Sequence, residues 1–399
     1  MNKIIIIANL DTGQGMSGGT RIYFEFIKKI SESIEIVFFG SRGTIRRIQR
    51  ENVKDVTFVE TDKHDISGLK ILLDYFYHSV TRLFKGIWVS LRYSLNKEDH
   101  YYVYASSDFW ADFFPALILH LRYRSITTLI TPIYLFAPRP GTGYDGKQIF
   151  SIKLLLYYYT QQVMMFFARR YSDAIFVTYE PDAQRLRELG FTKQPHFVIV
   201  GGIEFSETAP YVEKREKEYD AVFVGRFHPQ KGIYQLLDIW KLVVQSRPDA
   251  KLALIGNGDL DIGRYIADFI DRNNLKENID TLGFLDGTMK YSLFSKTNVY
   301  LNTNLYDAGG MATMEAMSCG LPVVSFDFPN SRSMIGGGVL WAHYLDVQDF
   351  ANNILMFLED PEKARSFGLS AREDMKKYDW SVTARRMVGY FEKADRRTR

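Results

Sequence analysis

The 399-residue chain contains a single cysteine, Cys319, which excludes an internal disulfide framework and fits a reducing compartment. No run approaches the roughly 18 consecutive apolar residues that a membrane-crossing helix needs. The N-terminus enters an apolar run directly, without the segments of a secretory leader, so a cytoplasmic location is expected. The histidines (64, 78, 100, 120, 196, 228, 343) form no i, i+4 pair with a carboxylate, and with no second cysteine no metal site is expected. Charge of one sign is scarce: the net value of +3 is too small to argue for a nucleic-acid partner.

What is present is a globular composition, 46% hydrophobic and 24% charged, in a chain long enough for two cores. Residues 1–200 carry 25 Lys/Arg against 19 Asp/Glu, a surplus of 6, whereas the remainder carries 25 against 28. The basic half is therefore the first, which suits an anionic surface or ligand there.

Short β-rich runs alternate with helical spacing throughout. In the first half the runs are "KIIIIAN", "EIVFFG", "VTFVE", "YYVYAS", "TTLIT", "AIFVT" and "HFVIVGG". A polar stretch around 204–219 reads as a linker, after which the alternation resumes with "AVFVG", "KLALIG", "IDTLG", "VYLNT" and "PVVSFD". Alternation of this kind predicts parallel sheets covered on both faces. Two doubly wound α/β domains follow, a first over 1–204 and a second over 218–375, with a terminal helical segment 376–399.

Several glycine motifs compete for attention. Gly13-x-Gly15-x-x-Gly18 follows the first strand at dinucleotide-binding spacing. However, three residues intervene before the first glycine, and the second strand ends in Phe39-Gly40 without the ribose-binding carboxylate. That argues against NAD; an anion-holding turn at a helix N-terminus and a plain strand-to-helix turn stay open. "GTGYDGKQ" at 141–148 has phosphate-loop spacing, but Gln148 stands where a Ser or Thr would hold magnesium, so it reads as a loop.

Two segments of the second half carry chemistry. "AVFVGRFHPQKG" ends its strand at Gly225 and places Arg226 and Lys231 beside a helix N-terminus, either a grip for a diphosphate that also offsets charge on it as a leaving group or two solvated cations of a turn. "LYDAGGMATMEAMSCGLPVVSFD" sets Asp307 and Glu315 eight residues apart around a glycine turn. Each carboxylate can accept two hydrogen bonds from sugar hydroxyls.

Together these segments resemble the GT-B glycosyltransferases, specifically the large retaining family 4 that uses nucleotide-diphosphate sugars. "GRFHPQKG", "LIGNGDL", "LGFLDG" and "DAGGMATMEAMSCGLPVV" occur in the family's order, and "SGGTRIYFEFIKKI" is similar to its opening glycine loop. The resemblance implies a GT-B fold, with the last helix, from near Trp380, crossing back to the first domain. It implies that Arg226 and Lys231 hold the diphosphate, Asp307 the transferred sugar and Glu315 the ribose. Gly18, Gly19, Gly225, Gly309, Gly310 and Met311 complete the donor site, the first two facing the diphosphate from the other domain. It also implies a UDP- or GDP-sugar as donor, no metal and no cofactor. The chain departs from the family by carrying Asp307 in place of a first Glu, and "VGGIEF" in place of a Pro-Asn-Gly turn. It also reads "TPIY" where most members place a histidine; Asp108 in "YASSDFW" is the polar substitute expected there. The alternatives are another enzyme on this scaffold, an epimerase or phosphorylase, or a binding module without turnover.

Segments 69–95 and 149–171 are crowded with Leu, Phe, Tyr and Trp, and carry Arg82, Lys85, Arg92, Lys153, Arg169 and Arg170. Aromatics mixed with cations suit the headgroup region of an anionic leaflet. The expectation is peripheral docking of the first domain on the inner face of a membrane, where a glycan or lipid-linked acceptor resides. The competing expectation is that both segments are core helices.

Overall fold

The computed structural model describes residues 2–11, 17–51, 53–63, 72–143, 148–212, 216–306 and 310–395. The chain divides into two compact units, one of residues 1–143, 148–201 and 380–399, the other of 144–147 and 202–379.

In the first unit, chain order runs β1 (Asn2–Ala8), α1 (Gly18–Ile30), β2 (Ile36–Ser41), α2 (Arg42–Gln49), β3 (Val56–Asp62), α3 (Leu72–Arg92) and β4 (His100–Ala105). It continues through α4 (Trp110–Arg122), β5 (Thr127–Ile133), α5 (Ile152–Tyr171), β6 (Ala174–Val177), α6 (Glu180–Glu188) and β7 (His196–Val198). The strands form one parallel sheet ordered β3-β2-β1-β4-β5-β6-β7. Ile4, Ile5, Ile6 and Ile7 of β1 are all buried, because helices cover both faces of a central parallel strand. The direction of winding reverses between β1 and β4, and open α/β sheets place their ligand sites at such a switch point, beyond the carboxyl ends of the strands.

The second unit begins with the short α7 (Phe205–Thr208), followed by β8 (Tyr219–Val224), α8 (Ile233–Ser246), β9 (Leu252–Ile255), α9 (Leu260–Arg272), β10 (Ile279–Gly283), α10 (Gly287–Ser295) and β11 (Thr297–Asn302). Then come α11 (Gly310–Ser318), β12 (Val323–Phe326), α12 (Pro329–Met334), β13 (Val339–Ala342), α13 (Val347–Glu359) and α14 (Pro361–Met375). Its parallel sheet is ordered β10-β9-β8-β11-β12-β13, with the switch point between β8 and β11. Much of the stretch read as a linker is thus structured, opening the second unit as α7 and a 3₁₀ turn at Ala209–Tyr211.

The last helix, α15 (Trp380–Ala394), belongs to the first unit. The reason lies in one residue: the Phe391 ring sits among Phe26, Tyr102, Tyr104 and Phe176, at centroid distances of 5.5 to 5.8 Å. Trp380 and Met387 of the same face are buried with it.

Candidate active site

In the second unit Arg226 and Lys231 follow the carboxyl end of β8, and Gly310, Met311 and Glu315 lie in α11, the helix after β11. After Val224 the chain passes Gly225, whose N–H donates to Ile255 O of β9 at 3.0 Å. Arg226 follows and is exposed, and Lys231 closes a 3₁₀ turn, half-buried. Gly232 then takes a left-handed conformation (φ 67°) and starts α8. This turn is fastened to the loop after β11: the Thr303 hydroxyl donates to Lys231 O at 2.9 Å, and Leu305 N–H donates to Gln230 O at 3.0 Å. The basic turn and the chain leading to α11 therefore form one structure. Gly310 and Met311 open α11 and are partly exposed; Asp307 and Gly309 lie outside the described residues.

Glu315 lies in α11, a turn beyond Met311, and is only 1% exposed. Its Oε2 is 2.8 Å from Lys290 Nζ, and the Tyr291 hydroxyl donates to Oε1 at 3.4 Å. Lys290, itself 4% exposed, also reaches Asp286 Oδ1 at 2.8 Å. Burial works against its charge, but Glu315 and Asp286 outweigh burial and raise the ammonium's pKa. Sequence reading missed Lys290; the one signal available was its i, i+4 spacing from Asp286.

In the first unit, Ser17 caps α1 by accepting from Thr20 N–H at 3.1 Å, leaving Gly18 exposed at the helix start. Asp108, just beyond β4, is buried; its Oδ2 accepts from Gln161 Nε2 at 2.5 Å and from the Tyr157 hydroxyl at 3.4 Å. Burial raises its pKa to about 6 against the lowering effect of those donors, a range in which a carboxyl exchanges protons near neutral pH. Asp112, shifted likewise to about 6 by burial, is occupied structurally, accepting from Leu10 N–H and the Ser106 and Ser107 hydroxyls. A residue not singled out from sequence is Tyr134, which ends "TPIY" where a family histidine is expected. Its ring approaches within 3.2 Å of the space a Cβ on Gly19 would fill, and its hydroxyl pairs with that of Tyr104.

The two aromatic segments divide between core and surface. On α5, Met164, Met165 and Ala168 face the core, whereas Ile152, Leu156, Tyr159, Val163 and Phe166 are exposed at alternating spacings of four and three. On α3, Tyr77, Phe84, Trp88 and Leu91 form a second exposed stripe, Phe84 at 65%. Arg92 stacks its guanidinium 4.0 Å from the Trp88 ring centre. One expected surface cation is corrected: Arg82 is 2% exposed, because it pairs with Asp62 at 3.3 Å and donates to the Asn9, Leu10 and Asp11 carbonyls. Lys85 is tied to Asp62 as well, at 2.7 Å. Among the described residues no helix is long and apolar enough to cross a membrane.

Two doubly wound parallel sheets, each with its candidate residues at the switch point, define the GT-B class of fold. Solved structures agree over nearly the whole chain. Anabaena HepE in complex with UDP and glucose superposes with a TM-score of 0.71 at 15% identity, covering 98% of this chain and 99% of that one. Sucrose-phosphate synthase from Thermosynechococcus elongatus gives 0.72 at 16% identity, with coverage of 98% and 99%. Residues 205–374 match the profile of the family described as Glycosyl transferases group 1. Phosphatidyl-myo-inositol mannosyltransferase of Mycobacterium tuberculosis is 29% identical over 180 residues, which are 43% of this chain and 46% of that protein. Poly(glycerol-phosphate) alpha-glucosyltransferase of Bacillus subtilis is 24% identical over 234 residues, 56% of this chain and 34% of that protein. The matches thus span about half the length, or less, of these curated relatives.

Proposed function

We propose that the protein is a retaining, metal-independent glycosyltransferase that moves a hexose from a UDP- or GDP-sugar to a lipid-linked or membrane-associated glycan acceptor. The observation that carries this reading is the fastening of the Lys231 turn to the loop leading into α11. It ties the turn that carries Arg226 and Lys231, at the start of α8, to the segment that follows β11. Arg226 and Lys231 bind the diphosphate and stabilise it as the glycosidic C–O bond breaks. Gly225 lets the backbone approach it, Gly309, Gly310 and Met311 contact it, and Glu315 binds the ribose. Asp307 accepts hydrogen bonds from the transferred sugar. In the first unit, Gly18 and Gly19 open α1, whose N-terminus suits an anionic group, and Asp108 serves the acceptor side. The acceptor hydroxyl forms the new bond on the face the diphosphate leaves, and its proton passes to the departing oxygen. The two cations take the place of a metal, and no cofactor takes part.

Screening UDP- and GDP-sugars for release of the nucleoside diphosphate tests the reading. Release is expected only with an acceptor-bearing lipid extract and is expected to survive EDTA. Donor binding without release would point to a binding module, interconversion of the donor sugar without acceptor to an epimerase, and phosphate-dependent turnover to a phosphorylase. Abolition by EDTA would remove the charge-neutralising role given to Arg226 and Lys231.

The membrane part of the proposal rests on the exposed stripes of α3 and α5. Helices that merely cover a sheet put charge on the outer face, whereas these present Phe84, Trp88, Tyr159 and Phe166 to solvent. Arg92, Lys153, Arg169 and Arg170 flank them, and each basic residue near an anionic surface adds about 1 kcal/mol. Peripheral association with the inner face of a membrane follows. In flotation assays the protein is expected to rise with anionic vesicles at low salt and much less with neutral ones. The double variant Phe84→Glu/Phe166→Glu is expected to stay at the bottom of the gradient with either. Equal failure of the unaltered protein on both vesicle types would end this part of the proposal.

A further inference from the structure

A lysine as buried as Lys290 calls for a physical reason. Taking a cation and a carboxylate out of water costs several kcal/mol per ion, and the attraction between them seldom yields a net gain over an apolar pair of the same size. Stability alone is thus a poor explanation for a charge placed between α10 and α11. The surroundings are otherwise suited to an apolar side chain: Tyr291 and Phe294 of the same helix are buried, as is Tyr300 of β11.

What the arrangement supplies is orientation. Asp286 caps α10, its Oδ1 accepting from Gly287 N–H at 2.8 Å. The same oxygen receives the Lys290 ammonium at 2.8 Å, so the cap fixes the lysine. Lys290 in turn holds Glu315 Oε2 at 2.8 Å, while the hydroxyl of its neighbour Tyr291 meets Oε1. Both carboxylate oxygens are therefore gripped from α10.

We propose that Lys290 is a positioning residue of the nucleotide-sugar site: bridged to Asp286, it sets the Glu315 carboxylate in the orientation that accepts the donor's ribose hydroxyls. The inference rests on the ribose-binding role given to Glu315 above. Lys290 touches no substrate and acts through Glu315 alone. Its removal should loosen ground-state recognition of the ribose, which appears in donor KM and in discrimination against a 2′-deoxy nucleotide, and should leave kcat nearly intact.

Lys290→Met, Glu315→Gln and the double variant test this. Each is measured for donor KM and kcat, for affinity toward the ribo- and 2′-deoxyribonucleoside diphosphate, and for Tm. Lys290→Met is expected to raise donor KM about tenfold, the loss of one charge-assisted arrangement, and to erase the ribo-over-deoxy preference. Lys290→Met alone strands a buried carboxylate and is expected to lower Tm. The double variant removes both charges, so it is expected to recover Tm and to bind donor no worse than Glu315→Gln alone. That non-additivity is the signature of one residue acting through the other. An unchanged KM and preference in Lys290→Met would overturn the proposal, as would single-variant effects that simply add. If the unaltered protein binds neither UDP nor GDP, the donor reading itself falls and takes this proposal with it.

Discussion

Lys231→Ala is expected to slow sugar transfer about 10²–10³-fold, the loss of one cationic contact to a charge that develops on the leaving group, worth about 2–4 kcal/mol. The fold should be little affected, because the turn is held by its backbone. The Lys231 carbonyl takes the Thr303 hydroxyl, the Gln230 carbonyl takes Leu305 N–H, and Gly232 supplies the left-handed step into α8. The side-chain stem runs beside Gly225, whose missing Cβ would lie 3.9 Å from Lys231 Cγ, so truncation removes few packing contacts. The deficit should fall on kcat more than on KM, since the diphosphate gains charge only as the bond breaks. Release of nucleoside diphosphate under saturating donor, read beside a thermal melt, separates the two effects. Turnover within a few fold of normal at an unchanged Tm would take Lys231 out of the site.

The architecture was legible because parallel sheets write a simple signal. A strand covered on both faces needs a continuous apolar run, and "KIIIIA" or "AVFV" can scarcely be read otherwise. β13 escaped, since "VLWA" is four residues long and follows three glycines. The polar "EFSETAPYVEK" read as a linker because a short helix that only opens a domain lacks an apolar face. In the candidate site, Arg226, Lys231 and Glu315 were found through ordered motifs. Lys290 and Tyr134 were not, since Glu315, which Lys290 meets, and Tyr104, which Tyr134 meets, lie far along the chain and leave no local period. Facing was the hardest thing to read. Arg82 and Arg92 stand in the same aromatic segment, yet one is sealed against the Asn9, Leu10 and Asp11 carbonyls just beyond β1 and the other lies over Trp88 at the surface. Composition gives the number of aromatics; only the packing separates Phe391, in the core, from Phe166, outside it.

Gly232→Ala is expected to lower stability by about 3 kcal/mol or more and to reduce donor binding beyond what the stability loss accounts for. Two costs combine at this position. At a φ of 67° any residue with a Cβ is strained, by about 1 kcal/mol. The added carbon would also fall 1.9 Å from Thr303 O, so the end of β11 must move. Clashes that shift backbone belong to the large-effect class of substitutions. The displaced residue, Thr303, also carries the hydroxyl bonded to Lys231 O, and Leu305 two residues on bonds Gln230 O, so the cationic turn and the segment after β11 lose their registration together. Gly283 provides the control. It has nearly the same φ, 69°, but its Cβ position has nothing within 4 Å, so Gly283→Ala should cost only the conformational term of about 1 kcal/mol. Chemical denaturation of the two variants, with donor affinity measured in parallel, isolates the contact from the backbone strain. Equal losses in both would mean that the close approach of Gly232 to Thr303 contributes nothing to holding the site.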